Sequence, residues 1–162
     1  MQASPAVELR EVVPGDLPTI YAYQLDPEAN RMAVTNPRTR EGFDAHWARS
    51  LSDPGVIARA ITADGELVGH IACFVMDGRD SVGYWIDRAH WGRGIASAAL
   101  GRFLGIVTKR PLHARAARSN AGSVRVLTKC GFVLTGYEWA EATERFPACE
   151  EAVFVLESGA AS

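Results

Sequence analysis

Cysteine is scarce in this chain. The 162 residues include only three cysteines, Cys73, Cys130 and Cys149, which are far apart and odd in number. The chain has no CxxC pair and none of the Cys/His spacings typical of zinc sites. A chain of this length buries about two-thirds of its unfolded surface, so it needs no covalent or metal staple to fold. We therefore expect reduced thiols, with neither a disulfide framework nor a metal centre.

Long apolar runs are also missing. No stretch approaches the roughly 18 apolar residues of a membrane-spanning helix. The first residues, MQASPAVELREV, lack the basic segment followed by an apolar segment that characterises a secretion signal. These absences predict a cytoplasmic protein without a membrane partner.

Neither sign of charge dominates. The chain has 17 Lys plus Arg against 19 Asp plus Glu, a formal net charge of −2. This balance gives no basic footprint for a nucleic-acid backbone. The hydrophobic fraction of 48% is too high for a disordered chain. The length fits one domain, so we expect a single domain over residues 1–162 with a frayed tail at about 158–162.

The N-terminal third carries one strand pattern and two helix patterns. Residues 7–13 are rich in Val and alternate in polarity, which predicts a strand. Asp16 stands where the N-cap of a following helix is expected, and Asp26-Pro27 interrupts the apolar spacing of that helix. A second helix is expected from about Thr39, because aromatic and aliphatic residues recur there at i, i+4 and i+8.

The rest of the chain alternates strands and helices. Residues 56–86 contain three apolar segments separated by short turns, which predicts an antiparallel meander. A long helix is expected after residue 94 and is ended by Pro111. Further on, the pattern predicts strands at 112–117, 132–139 and 152–156 and a helix at 121–129.

The most informative segment is the loop WGRGIA at residues 91–96, between a predicted strand and the long helix. Glycine lets the backbone turn tightly and approach a ligand. The free N–H groups and the positive dipole of the helix start then face the same point, which suits a pyrophosphate. The alternative is that these glycines serve only close packing of the helix.

The same loop also approaches the glycine pattern of a dinucleotide-binding site. Ser97 occupies the third glycine position of the dinucleotide fingerprint. The preceding strands are expected to be antiparallel, and residues 115–120 offer basic and polar groups but no acidic one. These departures disfavour a dinucleotide oxidoreductase.

Two segments carry a family resemblance. The sequences GYWIDRAHWGRGIASAAL at 83–100 and RSNAGSVRVLTKCGFVLTG at 118–136 resemble the GNAT N-acetyltransferases. The similarity is greatest to the branch that includes the ribosomal-protein N-terminal acetyltransferases, where Trp91 replaces the usual Gln or Arg. It covers most of the chain and is weakest over residues 14–55. The resemblance implies an α+β fold, with a mixed, mostly antiparallel sheet of about six to seven strands, splayed central strands and about four helices.

The resemblance also implies acetyl-CoA as co-substrate, with no metal. The cofactor-binding residues expected from the matching positions are Trp85, Ile86, Trp91, Gly92, Arg93, Gly94, Ile95, Ala96, Ser97, Asn120, Ser123 and Lys129. The loop supplies backbone to the pyrophosphate, and the strand at Trp85 supplies backbone to the pantetheine arm. Lys129 is either a phosphate contact or a solvated surface cation.

The catalytic residues expected are Ser123, Tyr84 and Glu141. Ser123 matches the hydroxyl that this branch presents to the leaving thiol, but a helix-capping role is a close alternative. Glu141 lies near the place of a carboxylate base without aligning with it, and Thr135 stands where a Glu is common. Tyr84 is placed near the acetyl end of the strand, and packing is its alternative role. His70, on an apolar strand, is expected to be a core residue.

The implied activity is direct acetyl transfer to a primary amine of a small molecule or of a protein N-terminus, by a monomer or homodimer. Residues 14–55 and 136–150 are where acceptor specificity is expected. The charged residues available there for a charged acceptor are Arg31, Arg38, Glu138 and Glu141. One scaffold serves many acceptors, so the sequence leaves the acceptor open. A non-catalytic CoA-binding or sensing domain of the same fold is the alternative.

Overall fold

Seven strands and five α-helices follow one another along residues 4–158, the part of the chain that the computed structural model describes. Their bounds are β1 (Val7–Glu11), α1 (Leu17–Tyr23), α2 (Pro27–Ala33), α3 (Arg40–Ser52), β2 (Ile57–Ala63), β3 (Glu66–Met76), β4 (Arg79–Ile86), α4 (Ile95–Ile106), β5 (Leu112–Ala117), α5 (Ala121–Lys129), β6 (Val133–Ala140) and β7 (Cys149–Leu156). The predicted α+β class is confirmed, with one helix more than expected. The frayed tail was predicted at about 158–162, and residues 159–162 of it lie outside the described residues.

All strands form one sheet in the order β1-β2-β3-β4-β5-β7-β6. Every neighbouring pair is antiparallel except β4 and β5, which are parallel. The β2–β3–β4 segment is the predicted meander, so the dinucleotide alternative, which needs parallel strands there, is wrong. The ladder between β4 and β5 contains a single pair, Ser81 and His113. Beyond that pair the two strands diverge, which is the expected splay of the central strands.

Hydrophobic packing covers both faces of the sheet. On one face, α4 buries Leu100 and Phe103 completely against the strands, beside Phe154 of β7. On the other, Phe43 and Trp47 of α3 are buried in a smaller cluster with Ile20 of α1. The i, i+4 spacing of Phe43 and Trp47 in the sequence therefore corresponds to buried core positions in α3. The diverging ends of β4 and β5 lie between these two layers.

The N-terminal third differs from prediction in two ways. Asp26 and Pro27 do end α1, but they also begin α2, because proline is favoured at the first helical position. The Asp26 side chain accepts a hydrogen bond from the N–H of Glu28, at 3.1 Å. Asp16 occupies the expected N-cap position of α1, but its side chain does not bond the start of the helix. Both its oxygens instead accept from the Arg10 guanidinium at 2.8 Å, which lowers the pKa of this carboxyl.

α3 begins next to Thr39, as predicted, and the Thr39 hydroxyl caps it by accepting from the N–H of Gly42 at 3.1 Å. Across residues 4–158, none of the helices combines the length and apolar character that crossing a membrane requires.

Candidate active site

A cavity of about 700 Å³ opens where β4 and β5 diverge. Its walls come from the end of β4, the loop before α4, the first turns of α4 and α5, and one side of α2. The lining residues are Ala29, Met32, Ala33, Tyr84, Trp85, Ile86, His90, Trp91, Gly92, Gly94, Ile95, Ala96, Ser97, Ser119, Asn120, Ala121, Gly122, Ser123, Arg125, Val126 and Lys129. The structure thus brings most of the sequence-predicted site residues to one cavity.

The loop that contains Gly92 and Gly94 forms a backbone cradle at the N-terminus of α4. Gly92 and Gly94 have φ of +78° and +77°, a region that strains any residue with a Cβ atom. Gly94 is the N-cap of α4 and provides no side-chain acceptor, so the first N–H groups of the helix point free into the cavity. The space beside both glycines is open to 4 Å. The positive end of the helix dipole faces the same space.

Trp91 fixes the loop to the strand that precedes it. Its indole N–H donates to the carbonyl of Ile86, the last residue of β4, at 2.9 Å. The Trp91 indole therefore holds the glycine loop against the end of β4. This contact gives a structural reason for tryptophan at this position of the motif.

The diverging edge of β4 exposes backbone donors. Successive residues of an antiparallel strand direct their N–H groups alternately to opposite sides. The N–H of Asp87 binds the carbonyl of Val68 on β3, at 2.8 Å. By alternation, the N–H groups of Tyr84 and Ile86 point the other way, towards the gap that β5 has left. They are positioned to bind an oxygen or an extended ligand in the cavity.

Two hydroxyl groups meet at the inner end of the cavity. Tyr84 Oη and Ser123 Oγ are 2.8 Å apart. Burial raises the pKa of Tyr84 to about 12, so its phenol remains protonated at neutral pH. The helix cap of α5 is supplied by Asn120, whose side-chain oxygen accepts from the N–H of Ser123 at 3.2 Å. The Ser123 hydroxyl is thus left for Tyr84 and for a ligand, and the capping alternative proposed for its side chain is wrong.

Charged groups lie at the outer rim. Lys129 and Arg125, both exposed on α5, line the cavity as cations without a salt-bridge partner within residues 4–158. Arg93 is exposed between the two glycines but does not line the cavity. Glu141 is exposed one residue after β6 and also lies outside the lining. The structure therefore does not bring Glu141 to the hydroxyl pair.

Sequence reasoning named Met32 as a possible apolar wall residue but missed the helix α2 that carries it, together with Ala29 and Ala33. Ala29, Met32 and Ala33 lie along this short helix and form an apolar part of the wall. Their i, i+3 and i+4 spacing, following an Asp-Pro start, was the signal that could have found them. His90 was also missed; its Nδ1 lies 3.1 Å from Asp87, which orients the ring.

The family profile described as acetyltransferase (GNAT) domain matches residues 6–133 of the chain. This span includes every element from β1 to α5 and therefore the whole lining of the cavity. A comparison with curated protein sequences gives no significant match.

Solved structures share the fold over nearly the whole chain. RimL, a ribosomal L7/L12 alpha-N-protein acetyltransferase in complex with coenzyme A, has a TM-score of 0.78 and 17% identity, covering 98% of this chain and 97% of its own. Spermidine N-acetyltransferase from Vibrio cholerae, in complex with CoA and spermine, has a TM-score of 0.79 and 18% identity, covering 96% and 98%. Mycobacterium smegmatis RimJ in complex with CoA-disulfide has a TM-score of 0.77 and 21% identity, covering 96% and 83%.

These likenesses show the fold, and they include members of the branch expected from the loop that begins at Trp91. The profile match covers more than half of the chain and ends at residue 133, within the second of the two segments that carry the resemblance. By that match the chain belongs to the GNAT acetyltransferase family and is an N-acetyltransferase.

Proposed function

We propose that this enzyme uses acetyl-CoA to acetylate a primary amine of a small molecule or of a protein N-terminus. The observation that carries the proposal is the uncapped start of α4, which opens beside the unpaired edge of β4 into one cavity. Bound CoA in solved neighbours of the same fold supports the choice of cofactor.

The residues present fit acetyl-CoA. The cradle of Gly92 and Gly94, with the free N–H groups of the first α4 turn, would hold the pyrophosphate. Lys129 and Arg125 at the rim add positive charge for the phosphates. The exposed edge of β4, around Trp85 and Ile86, would pair with the pantetheine arm as a strand pairs with its neighbour.

Bound acetyl-CoA supplies a thioester whose carbonyl carbon accepts the amine, with a C–N bond formed and the C–S bond broken. The N–H groups of Tyr84 and Ile86 point to the side where the thioester oxygen gains charge, and they stabilise that charge. They do so without reorganising, because β4 is held in place by β3 along its other edge.

The departing sulfur requires a proton. Tyr84 Oη and Ser123 Oγ are 2.8 Å apart. We assign Tyr84 as the donor of this bond, which leaves the Ser123 hydroxyl hydrogen free to reach the sulfur. Burial raises the pKa of the Tyr84 phenol to about 12, so Tyr84 is protonated before the transfer. As Ser123 passes its hydrogen to the sulfur it takes the phenolic proton of Tyr84, and Tyr84 then regains a proton from solvent. Ser123 is thus the proposed general acid and Tyr84 the group that orients it.

The acceptor amine must lose one proton. Glu141 is exposed outside the cavity lining, so we assign that proton to solvent water rather than to a side chain. Glu141→Gln should then leave kcat within about twofold. A fall of kcat by more than about tenfold, with the pH profile shifted, would restore Glu141 as the base.

The decisive experiment is an acceptor screen. The purified enzyme is incubated with acetyl-CoA and a panel of primary amines, and released CoA thiol is measured. Thiol release that depends on one class of amine, with mass spectrometry showing the acetylated amine, supports the proposal. Binding of CoA with no thiol release on any amine would instead support the sensing domain.

A further inference from the structure

Three buried side-chain nitrogen atoms within residues 4–158 have no hydrogen-bond partner: His70 Nδ1, Trp85 Nε1 and Arg145 Nε. Native structures pair the large majority of such groups, so an unpaired one points to a missing water, ion or ligand. They come from three distant parts of the sequence. All three nevertheless belong to one place in the fold.

That place is the face of the sheet opposite the hydroxyl pair. His70 on β3 and Trp85 on β4 are direct cross-strand partners, so their side chains share one face. Trp47 of α3 packs edge-on against His70, with ring centroids 5.1 Å apart. Trp85 also lines the cavity described above, so this cluster begins at the cavity wall.

Arg145 reaches the cluster from the loop between β6 and β7. Its guanidinium donates to the carbonyl of Asn36, and the N–H of Asn36 donates back to the carbonyl of Arg145 at 2.7 Å. The loop after α2 is therefore fastened to the loop after β6. Gln24 holds the same region by bonding both the N–H and the carbonyl of Arg38, at 2.6 and 3.1 Å.

The cluster carries positive charge that is not balanced by carboxylates. We call it the cationic pocket; its members are Arg38, His46, Arg49, His70, Trp85 and Arg145. Arg38, Arg49 and Arg145 have no carboxylate within 4.0 Å in the described part of the chain, although six other arginines there do.

The same charges act on the two imidazoles. Burial is the main cause that lowers the pKa of His46 and of His70 to about 4. The guanidinium groups of Arg38, Arg49 and Arg145 add to it at His46, whereas at His70 the His46 imidazole comes next, followed by Arg145 and Arg38. Burial and Arg38 lower the pKa of Arg145 to about 10. At neutral pH the imidazoles are therefore neutral while the arginines remain charged.

The chemistry of the unpaired atoms defines a ligand. The indole N–H of Trp85 and the Nε–H of Arg145 are donors only, so they need an acceptor oxygen. An unbalanced guanidinium pairs best with a carboxylate, which it binds through charge-assisted hydrogen bonds. Neutral His70 has a ring nitrogen that accepts a hydrogen bond from an amine.

We propose that the cationic pocket binds a carboxylate of the acetyl acceptor, so that the enzyme acetylates amines bearing a carboxylate, such as amino acids, and discriminates against polyamines. Resting on the proposed acetyltransferase function, this inference deepens it. A polycation such as spermidine would meet repulsion from three arginines at the point where a carboxylate is attracted.

The test compares amines that differ only in the carboxylate. Leucine is paired with isoamylamine, phenylalanine with phenethylamine, and histidine with histamine, and spermidine is added. The carboxylated member of a pair that turns over should have a kcat/KM at least about tenfold higher, as loss of one charge-assisted hydrogen bond implies. An equal or faster reaction of the decarboxylated amines or of spermidine overturns the inference and leaves the proposed function intact. No thiol release from any amine would overturn both.

Substitutions of two arginines test whether the cationic pocket causes the preference for carboxylated amines. Arg145→Met and Arg49→Met should each reduce the preference for the carboxylated amine by about 5- to 50-fold, with the Kd for CoA unchanged. Arg49 is exposed, so its variant remains informative even where Arg145→Met lowers stability. Arg102→Met, an exposed arginine of α4 outside the pocket, is the matched control and should keep the preference. An unchanged preference in both pocket variants would contradict the assignment.

Discussion

The two faces of the sheet at the splay present different kinds of chemical group to a ligand. On the α4 and α5 face, the groups presented are backbone N–H groups, two glycines and a pair of hydroxyls. On the opposite face they are the guanidinium, imidazole and indole side chains of the cationic pocket. A backbone cradle depends on φ and free space, whereas a side-chain pocket depends on charge. One face can therefore keep its ligand while single substitutions change what the other selects.

The largest expected effect comes from filling the cradle. Gly94→Trp should raise the Kd for CoA by more than about 100-fold, because a bulky side chain at φ +77° both strains the loop and occupies the pyrophosphate space. Isothermal titration with CoA measures this. Gly101→Trp, at an exposed position on the same helix, is the control and should bind CoA normally. Unchanged affinity in Gly94→Trp would refute the cradle.

The next effect separates chemistry from binding on the same face. Ser123→Ala should lower kcat by about 10- to 100-fold, because the sulfur loses its proton donor, while the Kd for CoA stays within about twofold. Tyr84→Phe should also lower kcat, but by a smaller factor, because Ser123 keeps its own hydroxyl. Steady-state kinetics on the preferred amine, with CoA titrations alongside, provide the measurement. An unaltered kcat in Ser123→Ala would remove it from the proton path.

The cationic pocket should make the fold sensitive to acid. His46 and His70 titrate near 6.5 when unfolded and near 4 when folded, so the unfolded chain binds more protons between these values. Stability is then fully present above pH 6.5 and is lost as the pH falls towards 4. The Tm should drop by several degrees between pH 7 and pH 5. His70→Phe should flatten that slope, and a slope identical to that of the parent protein would disprove the role of His70.

The smallest expected effect tests the helix cap. Asn120→Ala should cost about 1 kcal/mol of folding free energy, because the N–H of Ser123 loses its acceptor. For a chain of this size that lowers the Tm by about 2–4 °C, measured by differential scanning calorimetry. Asn120→Asp keeps an acceptor and should remain near the parent value. A kinetic defect in Asn120→Ala without a stability change would mean that Asn120 contacts the ligand rather than the helix.

The sequence predicted the glycine cradle but not the cationic pocket, because only the cradle is made of residues that are contiguous in the chain. The cradle is made by contiguous residues, and the turn at Gly92 and Gly94 follows from local backbone physics alone. The cationic pocket joins residues from α3, β3, β4 and two loops, and nothing in the chain order shows that His70 faces Trp85 or that Arg145 reaches Asn36. Only the folded register brings these groups together.

Two local misreadings have physical causes as well. The Asp26-Pro27 pair was taken to end a helix, but the same pair also begins α2, since an N-cap followed by proline is a helix start. Ser123 was a candidate cap because it lies near the start of α5. Asn120, three residues earlier, fills that role and leaves the Ser123 hydroxyl for Tyr84.

The single ladder pair between Ser81 and His113 has a mechanical consequence. The sheet consists of two hydrogen-bonded halves, β1 to β4 and β5 to β7, which share packed side chains but almost no backbone bonds. A ligand strand laid along β4 would take the place of the missing rungs. The amide hydrogens of Tyr84 and Ile86, which face the gap, should then exchange quickly with deuterium in the free protein and slowly with CoA bound, so that binding of CoA would also stiffen the sheet.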